Sequence, residues 1–148
     1  LQISRLKELN GRDINSVTQF AVLTQSINTP QLAKIFSYMK APKRFAQLVE
    51  WLSSKQSFLN GNVTIEQRYL LADELIRSRR GESIELLIEF GEALDTCWFE
   101  EHDITALTDA YNSVTNASVI DAGFKGADIG TELRRRRCIA LEKVALTT

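Results

Sequence analysis

A chain of 148 residues, 44% hydrophobic and 25% charged, has the length and balance of a folded globular protein and can bury a sizeable core. No apolar run is long enough to span a membrane. The two cysteines, Cys97 and Cys138, form no disulfide framework and lack the clustered partners of a zinc site, so reduced thiols in a cytoplasmic protein are expected. The first residue is Leu1 and the first methionine is Met39, which fits a piece of a longer protein or the removal of an N-terminal segment. The net charge of −1 hides a segregation along the chain. Residues 1–80 carry 12 Lys/Arg against 6 Asp/Glu, residues 81–124 carry 10 acidic residues and no Lys or Arg, and from Lys125 onward 6 basic residues meet 3 acidic ones. Such blocks predict a surface with separate basic and acidic faces.

Helical spacing runs through the chain, with no two-residue alternation, no internal repeat and no long linker. Residues Leu1 to Leu9 read as a short or frayed helix closed by Asn10-Gly11. Ser16 is placed to cap a helix with the stripe Val17, Phe20, Ala21, Leu23 and Ile27. Thr29-Pro30 combines a capping hydroxyl with a proline at the first helical position, opening a helix that buries Leu32, Ile35, Phe36 and Met39. Ala41-Pro42 breaks it and starts another, with Phe45, Leu48, Val49 and Leu52 inward. Lys40, Lys43, Arg44 and Lys55 decorate this region. Trp51 lies off the stripe and is read as packing on an adjoining helix rather than stacking on a base.

After the Asn60-Gly61 turn, Thr64 and Gln67 form a capping-box pattern ahead of Ile65, Tyr69, Ala72 and Ile76. Arg77, Arg79, Arg80 and Gly81 read as ordinary helix termination. Ser83 is placed to cap a helix through Ile84, Leu87, Ile88, Leu94 and Trp98, with Glu85, Glu89 and Glu92 on its outer face. Asp103 starts a further helix, with Ile104, Leu107, Tyr111 and Val114 inward, and Asn116 leads through Val119 and Ile120 into a glycine turn. The expected fold is all-α: a bundle-like array of short helices, with a body over residues 1–100 and a small tail over 101–148.

The stretch Ala122 to Leu141, AGFKGADIGTELRRRRCIAL, organises this reading. Gly123 and Gly126 suit a tight turn, Asp128 sits in the first turn of the helix that follows, and Ile129, Leu133, Ala140 and Val144 share one stripe. Arg136 and Arg137 flank the stripe, and Arg134 and Arg135 project away from it. Open amides at a helix start, with Lys125 and four arginines nearby, are chemistry suited to phosphate. A run of arginines on a helix is equally the mark of a solvated face.

The run Val119 to Arg137, VIDAGFKGADIGTELRRRR, resembles the C-terminal motif of bacterial class II tRNA nucleotidyltransferases, the CCA-adding enzymes. In that family a Gly-x-x-Gly turn opens a helix of the form acidic-Ile-Gly-x-x-Leu-x-x-Arg-Arg. The resemblance is specific over this motif and only general elsewhere, where Val17 to Trp51 is loosely similar to the family's body. It implies an RNA-binding region that grips the backbone of the tRNA acceptor and T arms and presents the 3′ end for CTP and ATP addition. Lys125, Gly126, Arg134, Arg135, Arg136 and Arg137 are the candidate tRNA contacts, although four consecutive arginines exceed what the family pattern requires.

The transferase chemistry itself is missing from the sequence. There is no Gly-Ser loop with a strand bearing paired carboxylates, and Asp73-Glu74 with Arg77 only faintly echoes the family's nucleotide-selecting helix. His102-Asp103 belongs to no phosphohydrolase site, since the chain has one histidine. No Ser-His-Asp set and no Walker loop occur. The expectation is therefore a region that is non-catalytic alone and carries no metal or cofactor. Magnesium and CTP/ATP belong to a catalytic head elsewhere in the parent enzyme, which, beside tRNA, is the expected partner; no membrane is involved. The rival reading is a self-contained helical protein-interaction module that works through the acidic 82–103 segment.

Overall fold

The computed structural model describes residues 13–56, 58, 63–78, 81–94 and 100–146, and all regular structure among them is helical, α-helix apart from a short 3-10 turn at Gln56 and Phe58. The helices are α1 (Ser16–Leu23), α2 (Thr29–Met39), α3 (Lys43–Ser54), α4 (Ile65–Ser78), α5 (Gly81–Ala93), α6 (Glu101–Asn112), α7 (Asn116–Asp121) and α8 (Ala127–Glu142). The all-α expectation holds. The segments 1–12, Asn60-Gly61, Arg79-Arg80, Cys97 and Trp98 lie outside the described residues.

Two compact units emerge, and the chain enters each of them twice. One comprises residues 1–61 and 82–98, the other 62–81 and 99–148. Helix α4, which the sequence reading assigns to the body, thus packs against α6 and α8 instead. This rearrangement dissolves the charge blocks. The basic stretch from Lys125 onward shares a unit with the acidic 99–124 stretch, and acidic α5 joins the basic N-terminal segment. Counted over whole units, 8 Lys/Arg meet 8 Asp/Glu in the first and 10 meet 11 in the second. Each unit therefore carries little net charge in total.

In the first unit α1 and α2 both lie against α3. Phe20 stands 5.6 Å from both Phe36 and Phe45, edge-on to the latter, so one aromatic cluster ties the three helices together. Below it, Val17, Ala21, Val22, Leu32, Leu48, Val49 and Leu52 are buried, joined from α5 by Leu86, Leu87 and Phe90. The α5 carboxylate of Glu89 accepts the Asn15 amide at 3.1 Å and the Thr18 hydroxyl, which pins α5 to the start of α1. One acidic residue of the 82–103 segment is therefore engaged inside the fold. Lys55 is buried with its ammonium over the rings of Trp51 and Phe58, which makes Trp51 a packing residue.

Capping differs from expectation at several starts. Asn15, not Ser16, caps α1, accepting from the Val17 amide at 2.9 Å, and Asn28, not Thr29, caps α2, accepting from Gln31 at 3.0 Å. Both asparagines precede a hydroxyl residue with helical geometry, and an amide oxygen caps as well as a hydroxyl. Helix α5 begins before Ser83, whose buried position lies inside the helix, and Glu100 rather than Asp103 precedes α6, with the Glu100 amide donating to Asp103 at 2.9 Å. The Thr64–Gln67 reciprocal pair forms as read. Leu23 and Met39 end their helices and stay exposed.

In the second unit α4, α6 and α8 pack mutually and α7 rests on α8. Its core is Leu71, Ala72, Leu75, Ile104, Leu107, Tyr111, Val119 and Leu141. Helix α4 thus turns Leu71 and Leu75 inward in place of Tyr69 and Ile76, which are half-buried.

Candidate nucleic-acid interface

The stretch singled out in the sequence folds as α7, a glycine turn and α8. Thr115 caps α7 by accepting from the Ser118 amide. The chain then reverses through Gly123 at φ +95° and Gly126 at φ +59°, ψ −131°. Both angles lie where a Cβ is strained, so the two glycines are demanded by the backbone. Gly126 is the N-cap of α8 and supplies no side chain to the opening amides. Asp128 and Ile129 make only long backbone bonds, 3.3 Å to the carbonyls of Lys125 and Gly126. Lys125 is exposed and has no ion pair among the described residues.

The glycine geometry changes what a probe at position 126 reports. A Cβ there meets no atom within 4 Å, so space is not the constraint; the positive φ is. Gly126→Val is expected to destabilise the unit by about 1–3 kcal/mol through backbone strain alone. Gly130, inside α8 with equally open surroundings, is expected to behave oppositely. Gly130→Ala should stabilise by about 0.5–1 kcal/mol through helix propensity. Thermal unfolding of the two variants checks the pair, and a Gly126→Val protein as stable as its parent contradicts the strain.

All four arginines are already engaged within the fold. Arg134 pairs with Glu66 of α4, and its guanidinium lies 5.0 Å from the centre of the Tyr69 ring. Arg135 forks onto Glu132 with two bonds of 2.7 Å. Arg136 donates to the same carboxylate at 2.7 Å, reaches the Ser118 carbonyl at 3.2 Å, and stacks over Phe124 at 5.7 Å. It thereby braces both α7 and the glycine turn. Arg137 donates to the Tyr111 hydroxyl at 2.7 Å and to the Val114 carbonyl at 3.2 and 3.3 Å. The side chains of Arg134 and Arg135 remain 52% and 60% exposed, as their outward projection predicted, whereas Arg136 and Arg137 are half-buried. Of the candidate contacts, Lys125, Arg134 and Arg135 have accessible charge; Arg136 and Arg137 hold the unit together.

Glu132 is the residue that sequence reasoning missed. It occupies a buried position on α8, where the expected stripe passed through Leu133. Hydrogen bonds from Arg135 and then Arg136 hold its carboxyl down to about 2, well below the ordinary 4.5. The carboxylate is thus favoured in the fold. Its contribution to stability is complete above pH 4.5 and is lost as pH falls toward 2. Denaturant midpoints of Glu132→Gln and its parent should therefore differ at pH 7 and converge as pH falls to about 2. Equal midpoints at pH 7 would sink this role. The Glu-x-x-Arg-Arg spacing is itself a sequence signal for such a triad.

Two further connections cross the unit. The Arg68 guanidinium of α4 caps the far end of α8, donating to the carbonyls of Leu141 at 3.0 Å and Val144 at 2.9 Å. Asp73 accepts Arg77 Nε at 2.9 Å and the Tyr111 hydroxyl, so the faint echo of a nucleotide-selecting helix is a structural link. His102 is exposed at the start of α6, its Nδ1 3.2 Å from Glu100. Among the described residues no group of three His, Cys, Asp or Glu side chains is arranged to hold a metal ion, and no helix is long and apolar enough to cross a membrane. Comparison with protein-family models, with curated proteins and with solved structures finds no match to this chain.

Proposed function

We propose that this chain is a tRNA-anchoring region, similar to the C-terminal part of a bacterial CCA-adding enzyme. In this reading it holds the acceptor and T arms by their backbone while a catalytic head outside the chain adds CTP and ATP to the 3′ end. The observation that carries the proposal is the coincidence of the resembled motif with one folded element. Two glycines at positive φ lead into the uncapped amides of α8, beside exposed Lys125. Arg134 and Arg135 add accessible charge from the same helix. Recognition of this kind reads duplex shape and phosphate position with little base information. The roles divide accordingly: Lys125, Arg134 and Arg135 contact phosphate, and Arg136 and Arg137 keep the turn and α8 in place.

The rival module acting through the acidic 82–103 segment is less well supported. Glu89 is engaged by Asn15 and Thr18, and Asp103 by the Glu100 amide, so the segment's acids are partly committed to the fold. Titrating the purified chain with unmodified tRNA transcript tests the choice. Micromolar or tighter binding that weakens with added salt supports anchoring, and absence of binding at low salt overturns it. Under magnesium with CTP and ATP the chain is expected to add no nucleotide to that transcript; incorporation by a verified pure sample would contradict a non-catalytic anchor.

A further inference from the structure

From Ile14 to Val49 the chain carries Lys34, Lys40, Lys43 and Arg44 and no Asp or Glu. Helix α2 runs through this stretch with Leu32 and Phe36 buried against the first unit's core. On its other side stand Lys34 and Tyr38, four residues apart and therefore neighbours on one helical face. Tyr38 is 91% exposed, the most exposed of the large apolar side chains among the described residues, and the adjacent Met39 is 55% exposed. A ring so placed adds nothing to the core. Among the described residues neither Lys34, Lys40 nor Lys43 has an ion-pair partner, and all three are exposed.

Lys40 carries a second, independent mark. At φ 52° and ψ 40° it is the one non-glycine residue with positive φ among those described. It closes α2, with its own amide on the Ser37 carbonyl at 3.2 Å and the Ala41 amide on the Phe36 carbonyl at 3.0 Å. Glycine is the ordinary residue at such a left-handed helix terminus, because a Cβ there is strained. Strain retained with an exposed charge beside an exposed ring points to use of that side chain.

We propose that the end of α2 and the start of α3 form a contact site for single-stranded nucleic acid. Tyr38 stacks on one unpaired base, and Lys34, Lys40 and Lys43 neutralise the neighbouring phosphates. Every base offers a π-face, so the site is tolerant of sequence. Duplex is a poor occupant because its bases already stack on each other, and an acidic peptide satisfies the lysines while leaving the ring without a role. The site lies in the first unit and stands independently of the anchoring proposed for α8.

The test uses the full chain, an unstructured labelled RNA of about 12 nucleotides, the same RNA as a duplex, and a poly-glutamate peptide. The single strand should bind more tightly than either competitor. Tyr38→Ala should weaken single-strand binding roughly tenfold, while Tyr38→Phe, which keeps the ring, stays within about twofold. Lys34→Gln and Lys43→Gln should each flatten the log–log salt slope by about 0.7. Lys40→Gly should weaken binding while raising the melting temperature, since it removes a charge and relieves the backbone. A purely structural Lys40 would raise the melting temperature without touching affinity. Arg134→Ala/Arg135→Ala should leave the short RNA unaffected while lowering tRNA affinity, so each proposal fails separately. Unchanged single-strand affinity in Tyr38→Ala, or an equal loss of poly-glutamate binding, overturns the site.

Discussion

Replacing Tyr111 by alanine is expected to destabilise the second unit by about 3–5 kcal/mol, the cost of emptying a buried aromatic site. The ring is 3% exposed, lies 5.6 Å from Tyr69, and supports the Arg137 guanidinium 3.9 Å from its centre. Its hydroxyl donates to Asp73 of α4 and accepts from Arg137 of α8, so one side chain on α6 links all three long helices of the unit. Tyr111→Phe isolates that link. It keeps the packing but takes a shared partner from one carboxylate and one guanidinium, at a cost of about 1.5–3 kcal/mol. Burial first, and then the bond to Asp73, pushes the Tyr111 hydroxyl well above its ordinary 10. The folded state thus favours the protonated phenol. Stability from this source is complete below pH 10 and is lost as pH rises beyond it, where the unfolded chain releases the proton first. Urea unfolding at pH 7 and pH 11 tests both claims. A Tyr111→Phe midpoint equal to the parent's would remove the hydroxyl from this account.

The second large effect is expected in binding. If α8 and its turn make about 3–5 phosphate contacts, the log–log salt slope for tRNA should be roughly −2 to −5. Raising monovalent salt from about 50 to 200 mM should then weaken tRNA binding roughly 15- to 1,000-fold. Arg134→Ala/Arg135→Ala should flatten the slope by about one unit per lost contact. The Arg134 part of this change should cost little stability, because the Arg134–Glu66 pair is exposed and such pairs contribute about 0–1 kcal/mol. The Arg135 part also takes two hydrogen bonds from Glu132 and should lower the melting temperature. Arg137→Ala should do the reverse, lowering stability before affinity is measurable, since Val114 and Tyr111 lose their donor. A salt-independent affinity, or a slope unmoved by the exposed pair, refutes phosphate anchoring by α8.

The sequence by itself determined the helical class, because 3.6-residue periodicity and capping patterns such as Thr64–Gln67 are local signals. It also determined the glycine turn ahead of α8 and which two arginines project outward, since both follow from spacing along one element. Tertiary structure alone decided the rest. That α4 belongs with α6 and α8 depends on which apolar faces meet, and the expected α4 stripe missed Leu71 and Leu75 because several rotations of that helix are equally apolar. Arg68 reaches carbonyls 73 and 76 residues away, a contact that no local pattern encodes. The buried carboxylate of Glu132 required the fold as well: its spacing to Arg135 and Arg136 is visible in the chain, but only packing turns it from a surface ion pair into an inward triad. The charge blocks show the same division. They are real along the sequence, yet each unit gathers acidic and basic stretches and is close to neutral in total. The acids of 82–98 join the bases of the N-terminal segment, and those of 99–124 join the bases of 62–81 and of the stretch from Lys125 onward.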